Sequence, residues 1–230
     1  MEKQVSRRDF LKVSVTAGVM LTASGLLVDG RNMAYAGDLQ PVQLSKPQTA
    51  TGNVMLKILE KRCSSREFAP DPLPVPVLSG LLWAAFGINR ADGRRTAPSA
   101  RNRQEIDIYV AAPEALYLYD AKANVLQPIV AGDIRGLTGV QDFVKQAPVN
   151  LVYVADTSKM GEVTPETKAL WVGADTGCIA ENVYLYCAAE GLATVVRANI
   201  DKPALAKAMK LRPEQEITLA QSVGYPKKKD

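Results

Sequence analysis

The sequence predicts an α+β chain, layered as an α/β sandwich with helices against a central sheet. Three observations carry this reading. Apolar residues recur at helical spacing at Val54, Met55, Ile58 and Leu59, and again through a long stretch that stops at Gly191. Short β-rich runs stand at 105–110, 116–119, 125–130, 149–155, 194–197 and 216–223. Helices and strands are interleaved, and two of the later strands each follow a helix.

The first segment is a leader. Ser6-Arg7-Arg8-Asp9-Phe10-Leu11-Lys12 precedes an uncharged run from Val13 to Val28, and small residues follow at Ala34-Tyr35-Ala36. A basic region, an apolar region and a small-residue cleavage site make a signal peptide over 1–36, cleaved after Ala36. The paired arginines followed by Phe-Leu-Lys resemble the twin-arginine export signal. The apolar run is shorter than the roughly 20 residues a spanning helix needs, so no permanent membrane anchor is expected. Residues 37–51 are polar, contain two prolines and show no periodicity, which reads as an extended linker; 52–230 form the folded domain.

Within that domain, Asn53 to Arg62 reads as a helix capped by Thr51 or Asn53. Ala69 to Pro76 carries four prolines and reads as a loop, and Val77 to Phe86 as a helix closed by Gly87. Ala91 to Arg103 is a basic loop leading into a strand over Glu105 to Val110. Leu116 to Tyr119 and Val125 to Val130 form a hairpin, and the apolar Val149 to Ala155 is a central strand. Thr164-Pro165-Glu166 starts a helix with proline in its first turn and an acid near its positive end. That helix runs to about Glu190, with Gly173 and Gly177 either permitting close approach of another helix or marking a kink. Thr194 to Arg197 is a strand, Pro203 to Lys210 a short helix and Glu216 to Val223 the last strand.

Composition removes several function classes. The net charge is only +4, without a basic stripe, so no nucleic-acid partner is implied. Histidine is absent from the whole chain, which removes Ser-His-Asp and Cys-His catalysis and every His-containing metal site. The three cysteines, Cys63, Cys178 and Cys187, form no Cys-x-x-Cys pair, and Cys63 reads first as a small buried or half-buried thiol.

Four segments carry chemistry. Arg62-Cys63-Ser64-Ser65-Arg66 brackets two hydroxyls with two guanidinium forks, a grouping suited to a phosphate monoester. Pro98-Ser99-Ala100-Arg101-Asn102-Arg103-Gln104 offers a fixed turn, small side chains and an amide, as a planar heterocycle requires. In Glu190 to Asn199 a helix ends, a short strand follows, and small residues then expose the backbone. Val223-Gly224-Tyr225-Pro226 is followed by lysines.

In this order and spacing the four segments resemble the nitroreductase family of flavin enzymes, over roughly Val54 to Lys229. The stretches Ala84 to Ile88 and Gly93 to Ser99 also resemble the branch that includes the thiazole- and oxazole-forming dehydrogenases. The resemblance implies a nitroreductase-like fold, with a mixed central sheet flanked by helices and the long helix at a homodimer interface. It implies FMN as cofactor, its phosphate, ribityl chain and pyrimidine edge held by Arg62, Cys63, Ser64 and Arg66. Arg66 would supply a charge near flavin N1. Pro98, Ser99, Ala100 and Asn102 match a loop that the second subunit lays against the flavin. Ala198 and Asn199 match the point where a backbone N–H, that of Ala198, meets flavin N5. Lys227 or Lys229 would match a terminal phosphate contact. No side-chain acid or base is obligatory.

The implied activity is an FMN-dependent oxidoreductase, exported by the twin-arginine machinery to the periplasm or another extracytoplasmic space. It would move electrons from a small-molecule donor to a quinone, nitroaromatic or similar conjugated acceptor. Two alternatives stand beside it: a dehydrogenase of a peptide or ring substrate related to the azoline oxidases, and an exported flavin-binding protein without turnover. The azoline oxidases carry a Lys-Tyr pair, and no Lys-Tyr dipeptide occurs here.

Overall fold

Strand β4 (Val149–Asp156) organises the molecule, because all eight of its residues are buried. A computed structural model of the protein describes residues 41–47, 49 and 52–228. The chain divides into units 1–46 and 47–230; the described part of the first is irregular and exposed. The leader with its twin-arginine stretch and Ala36 lies outside the described residues, and so does Lys229.

The second unit holds helices α1 (Val54–Lys61), α2 (Val75–Phe86), α3 (Pro165–Glu190) and α4 (Lys202–Ala208). The remaining strands are β1 (Ile106–Ala111), β2 (Ala115–Asp120), β3 (Val125–Ala131), β5 (Ala193–Arg197) and β6 (Gln215–Gly224). They join β4 in one sheet of order β3-β2-β1-β4-β6-β5. Every neighbouring pair is antiparallel. The expected mixed sheet is therefore corrected. Strands β4 and β5, joined through α3, do run in the same direction, but β6 inserts between them and opposes both.

Alternation along β4 builds the sandwich. Leu151, Tyr153 and Ala155 face a core with Leu81 and Phe86 of α2 and Ile179 and Val183 of α3. Val152 and Val154 face the other way, onto Leu205 of α4, Met209 and Ile217. The buried Tyr153 hydroxyl donates to Gln221 Oε1 at 2.6 Å, and Gln221 Nε2 donates to the Ala180 carbonyl and to Thr194 Oγ1. These bonds pin α3 across three strands with no polar atom of the set left unpaired.

Local chemistry sets the ends. Asn53 caps α1, accepting from the Met55 and Leu56 amides. Helix α2 begins at Val75, inside the predicted loop, because Pro76 sits in the first turn where a missing N–H costs nothing. Thr164 caps α3 and Gly191 ends it at φ 70°, with both the Gly191 and Leu192 amides donating to the Cys187 carbonyl. The helix is continuous for 26 residues, about 39 Å, so the expected alternative of a kink at Gly173 or Gly177 does not hold. Pro128 is tolerated in β3 because that strand is a sheet edge. Among the described residues no helix is long and apolar enough to cross a membrane.

Candidate functional site

The other sheet edge is β5, and the chemistry gathers along it. Ala193 to Arg197 pair with β6 on one side. On the outer side the Thr194 carbonyl accepts from the Ser65 amide at 2.9 Å, and the Val196 amide donates to the Tyr184 hydroxyl at 3.0 Å. Alternate residues of an edge strand present their backbone groups outward, so Ala198 is next in the series. Ala198 is exposed, and its N–H finds no acceptor among the described residues.

Arg62 and Ser64 arrive at the same edge through the cap of α1. The Ser64 and Tyr184 hydroxyls lie 2.8 Å apart, and the Arg62 guanidinium sits 5.3 Å from the Tyr184 ring centroid. Tyr184, buried on α3, thus links the Arg62 segment to β5. No residue pattern in the sequence singles it out, since a tyrosine on an apolar helix face reads as core. Arg66 is exposed, and neither Arg62 nor Arg66 meets a carboxylate among the described residues. Two arginines beside serine hydroxyls and without counter-charges suit an anionic ligand. Cys63 is exposed rather than buried or half-buried, because the segment lies over the sheet edge and not in the core.

The chain end returns to this segment. Phe68 and Pro226 form an antiparallel bridge, and the Lys227 amide donates to the Glu67 carbonyl at 3.3 Å, which brings Lys227 within one residue of Arg66 along the backbone pairing. A cleft of about 1170 Å³ opens there, lined by Phe68, Arg135, Lys145, Tyr225 and Lys227 among others. None of Arg62, Ser64, Arg66 or Ala198 lines it. The Arg62–Tyr184–Ala198 region is an open face of the single chain.

Pro98, Ser99, Ala100 and Asn102 are elsewhere. Pro98, Ser99 and Asn102 line a separate cleft of about 380 Å³ with Arg90, Arg94, Arg95 and Arg101, and Ala100 belongs to the same loop. The Ala100 amide donates to Asp175 on α3 at 2.7 Å. Asp175 and Tyr184 are nine residues apart, about 13 Å along α3 and half a turn around it. One chain therefore does not bring this loop to the Arg62 cluster. The loop is tightly specified: Arg101, Asn102 and Gln104 have φ of 53°, 55° and 50°. Such backbone persists only where contacts hold it, here Gln104 to Arg95, Asn102 and the Gly93 carbonyl.

Two further features escaped the sequence reading. Glu105 is fully buried, and neither carboxyl oxygen has a partner among the described residues. Burial pushes it up to about 7, and the Asp175 carboxyl beside it acts in the same direction. The signal of Glu105 in the sequence was faint: an acid at the mouth of an apolar strand. Arg197, buried at the end of β5, is the other. Cys187 is buried and its thiol is pushed up to about 12, which makes it inert at neutral pH. No cluster of metal-ligating side chains is found among the described residues.

The sequence profile of the Nitroreductase family matches residues 59–225. A Methanocaldococcus jannaschii protein named as a nitroreductase is 30% identical over 148 residues, which are 60% of this chain and 75% of that one. A crystal structure named as a nitroreductase from Ralstonia eutropha JMP134 superposes with a TM-score of 0.74 at 43% identity, covering 81% of this chain and 89% of the other. A chain of the E. coli microcin synthetase McbBCD complex superposes at 0.69 with 18% identity, over 94% of this chain and 87% of that one.

Proposed function

The chain belongs to the nitroreductase family of oxidoreductases, and we propose that it is an FMN-dependent enzyme that passes electrons from a small-molecule donor to a quinone, nitroaromatic or similar conjugated acceptor. The observation that carries this reading is the outward, unclaimed Ala198 N–H on the same sheet edge as Arg62, Ser64 and Tyr184. The donor set suits FMN: Arg62, Arg66 and Lys227 are cations for a phosphate and an electron-rich ring edge, Ser64 is a hydroxyl at hydrogen-bonding reach, and Ala198 is a backbone donor.

Bound there, FMN would supply two-electron hydride chemistry that the side chains of a histidine-free protein do not. The chain's own part is to bind and to aim. Arg62 and Ser64 would hold the phosphate end, and Arg66 would provide positive charge toward the pyrimidine edge. The Ala198 N–H would be the donor available to the flavin ring nitrogen that exchanges hydride.

The open face and the distant Pro98–Asn102 loop favour a homodimer in which each subunit completes the other's site. Helix α1 supports the same arrangement, since none of its residues is buried and Val54, Met55 and Leu59 are exposed. On α3 the face of Leu170, Gly173 and Gly177 is likewise uncovered. The Ser6–Lys12 signal favours export of the folded, cofactor-loaded protein to the periplasm. The azoline reading draws only on a fold likeness at 18% identity.

The absorbance spectrum and native mass of the purified protein test the proposal together. Flavin bands and a dimer mass are expected. A colourless protein that takes up no added FMN would overturn the cofactor assignment. Tight FMN that no donor reduces would assign a carrier without turnover.

A further inference from the structure

Arginine is rarely buried without a carboxylate, because its charge is costly to take out of water. Arg197 is an exception. It is 6% exposed, and no Asp or Glu oxygen lies within ion-pair distance among the described residues. Neutral oxygens take up its donors. Nε donates to Ser222 Oγ at 3.3 Å, and Nη2 to Asn150 Oδ1 at 2.6 Å, Thr138 Oγ1 at 3.1 Å and Ser222 Oγ at 3.1 Å. Nη1 donates to the Thr138 carbonyl. The Phe143 ring centroid is 6.0 Å away. Burial alone lowers the Arg197 guanidinium to about 10, which leaves it charged at neutral pH with nothing to offset that charge.

The position matters more than the cost. A single peptide link joins Arg197 to Ala198. The same guanidinium anchors the turn at Thr138. A side chain on Gly139 would collide with Arg197 and Gln141, so only glycine lets the turn approach this closely. From that turn the Val140 amide donates to the Asn199 carbonyl at 3.3 Å. The exposed Ala198–Asn199 corner is thus held on one side by β5 and on the other by a turn that Arg197 itself fixes.

We propose that Arg197 is a built-in, uncompensated positive charge that raises the reduction potential of a flavin bound at the Ala198 edge, while fixing the turn that aims the Ala198 N–H. The inference rests on the FMN reading above. Two electrons and one proton taken up by the isoalloxazine leave one added negative charge on it. A fixed cation in a poorly polarisable interior favours that charged product more than it would in water. Had the charge been neutralised by a carboxylate, the fold would be served equally and this bias would vanish. Arg197 touches no reacting atom in this scheme, so it is a positioning and electrostatic residue.

The test is the midpoint potential of the FMN-loaded full chain, measured by slow reduction against reference dyes, for wild type, Arg197→Lys, Arg197→Met and Asn150→Asp. Asn150→Asp places a carboxylate against Nη2 at unchanged size, and so cancels the charge while keeping Arg197 in place. Arg197→Met removes the charge outright. Both should shift the midpoint to more negative values, whereas Arg197→Lys should stay near wild type. Either charge-cancelling variant decides the matter if the other does not fold, with melting temperature and FMN titration confirming a loaded, folded sample. An unchanged midpoint in such a sample overturns the role of Arg197 and leaves the FMN assignment intact. A wild-type protein that binds no FMN overturns the FMN assignment, and this inference with it.

Discussion

Single residues decide what the sheet edge can hold. A charged hydrogen bond from Arg62 to the phosphate of FMN would be worth about 1.5–3 kcal/mol, so Arg62→Ala should weaken FMN binding by roughly 10- to 150-fold, as read by fluorescence titration. Unchanged affinity would place the phosphate elsewhere, with the Lys227 cleft the next site to examine. Glu105 yields a prediction about pH. Its carboxyl rises from 4.5 to about 7 on folding, so the folded chain keeps a proton that the unfolded chain has released between those values. The stabilisation is whole below about pH 4.5 and is lost as pH rises through about 7, a change on the order of 3 kcal/mol. Glu105→Gln keeps the size and shape of the side chain and cannot ionise. Its melting temperature should exceed that of wild type at about pH 8 and match it in acid; parallel curves at every pH would contradict the raised Glu105 carboxyl. Arg62, Ser64 and Ala198 were legible in the sequence because their chemistry is carried by residue type and by position in a short motif. Tyr184 and Arg197 were not, because their roles depend on contacts with Ser64, Val196, Thr138 and Asn150, all distant in the chain.

At the scale of elements, what was local was legible. Asn53, Thr164 and Gly191 cap their own helices, and a cap needs only the next turn of chain. The strand order was not legible. Whether β6 adds outside β5 or inserts beside β4 depends on which face of the sheet α3 covers, and no periodicity encodes that. Helix α1 shows what elements lack alone. At eight residues with none buried, it is too short to be stable by propensity, and its exposed Val54, Met55 and Leu59 are the face on which the proposed dimer would close. If the proposed dimer closes on α1, Met55→Lys combined with Leu59→Lys should convert it to a monomer in light scattering, and should lose FMN with it. A double variant that stays dimeric would move the interface away from α1.

At the scale of the whole molecule, the proposed cofactor loading and the proposed export would be coupled by order of events. A site completed only by a second subunit exists only after folding and assembly, and the twin-arginine route carries folded proteins. Replacing Arg7 and Arg8 with lysines should leave yellow, FMN-loaded protein in the cytoplasmic fraction and none outside it. Equal export of the variant would assign the leader to another pathway.

The docking of the Arg62–Phe68 segment along β5 has a consequence for solubility. An unpaired sheet edge is a template for any other strand, and here the cover arrives from 120 residues upstream of Tyr184, as the Ser64 contact shows. The segment proposed to bind the ligand is therefore also the guard of the edge. A chain lacking residues 52–66 should do more than lose its flavin: its bared β5 should recruit neighbouring copies, and light scattering should rise with protein concentration. The function of this family member and its resistance to aggregation would then hang on the same few residues.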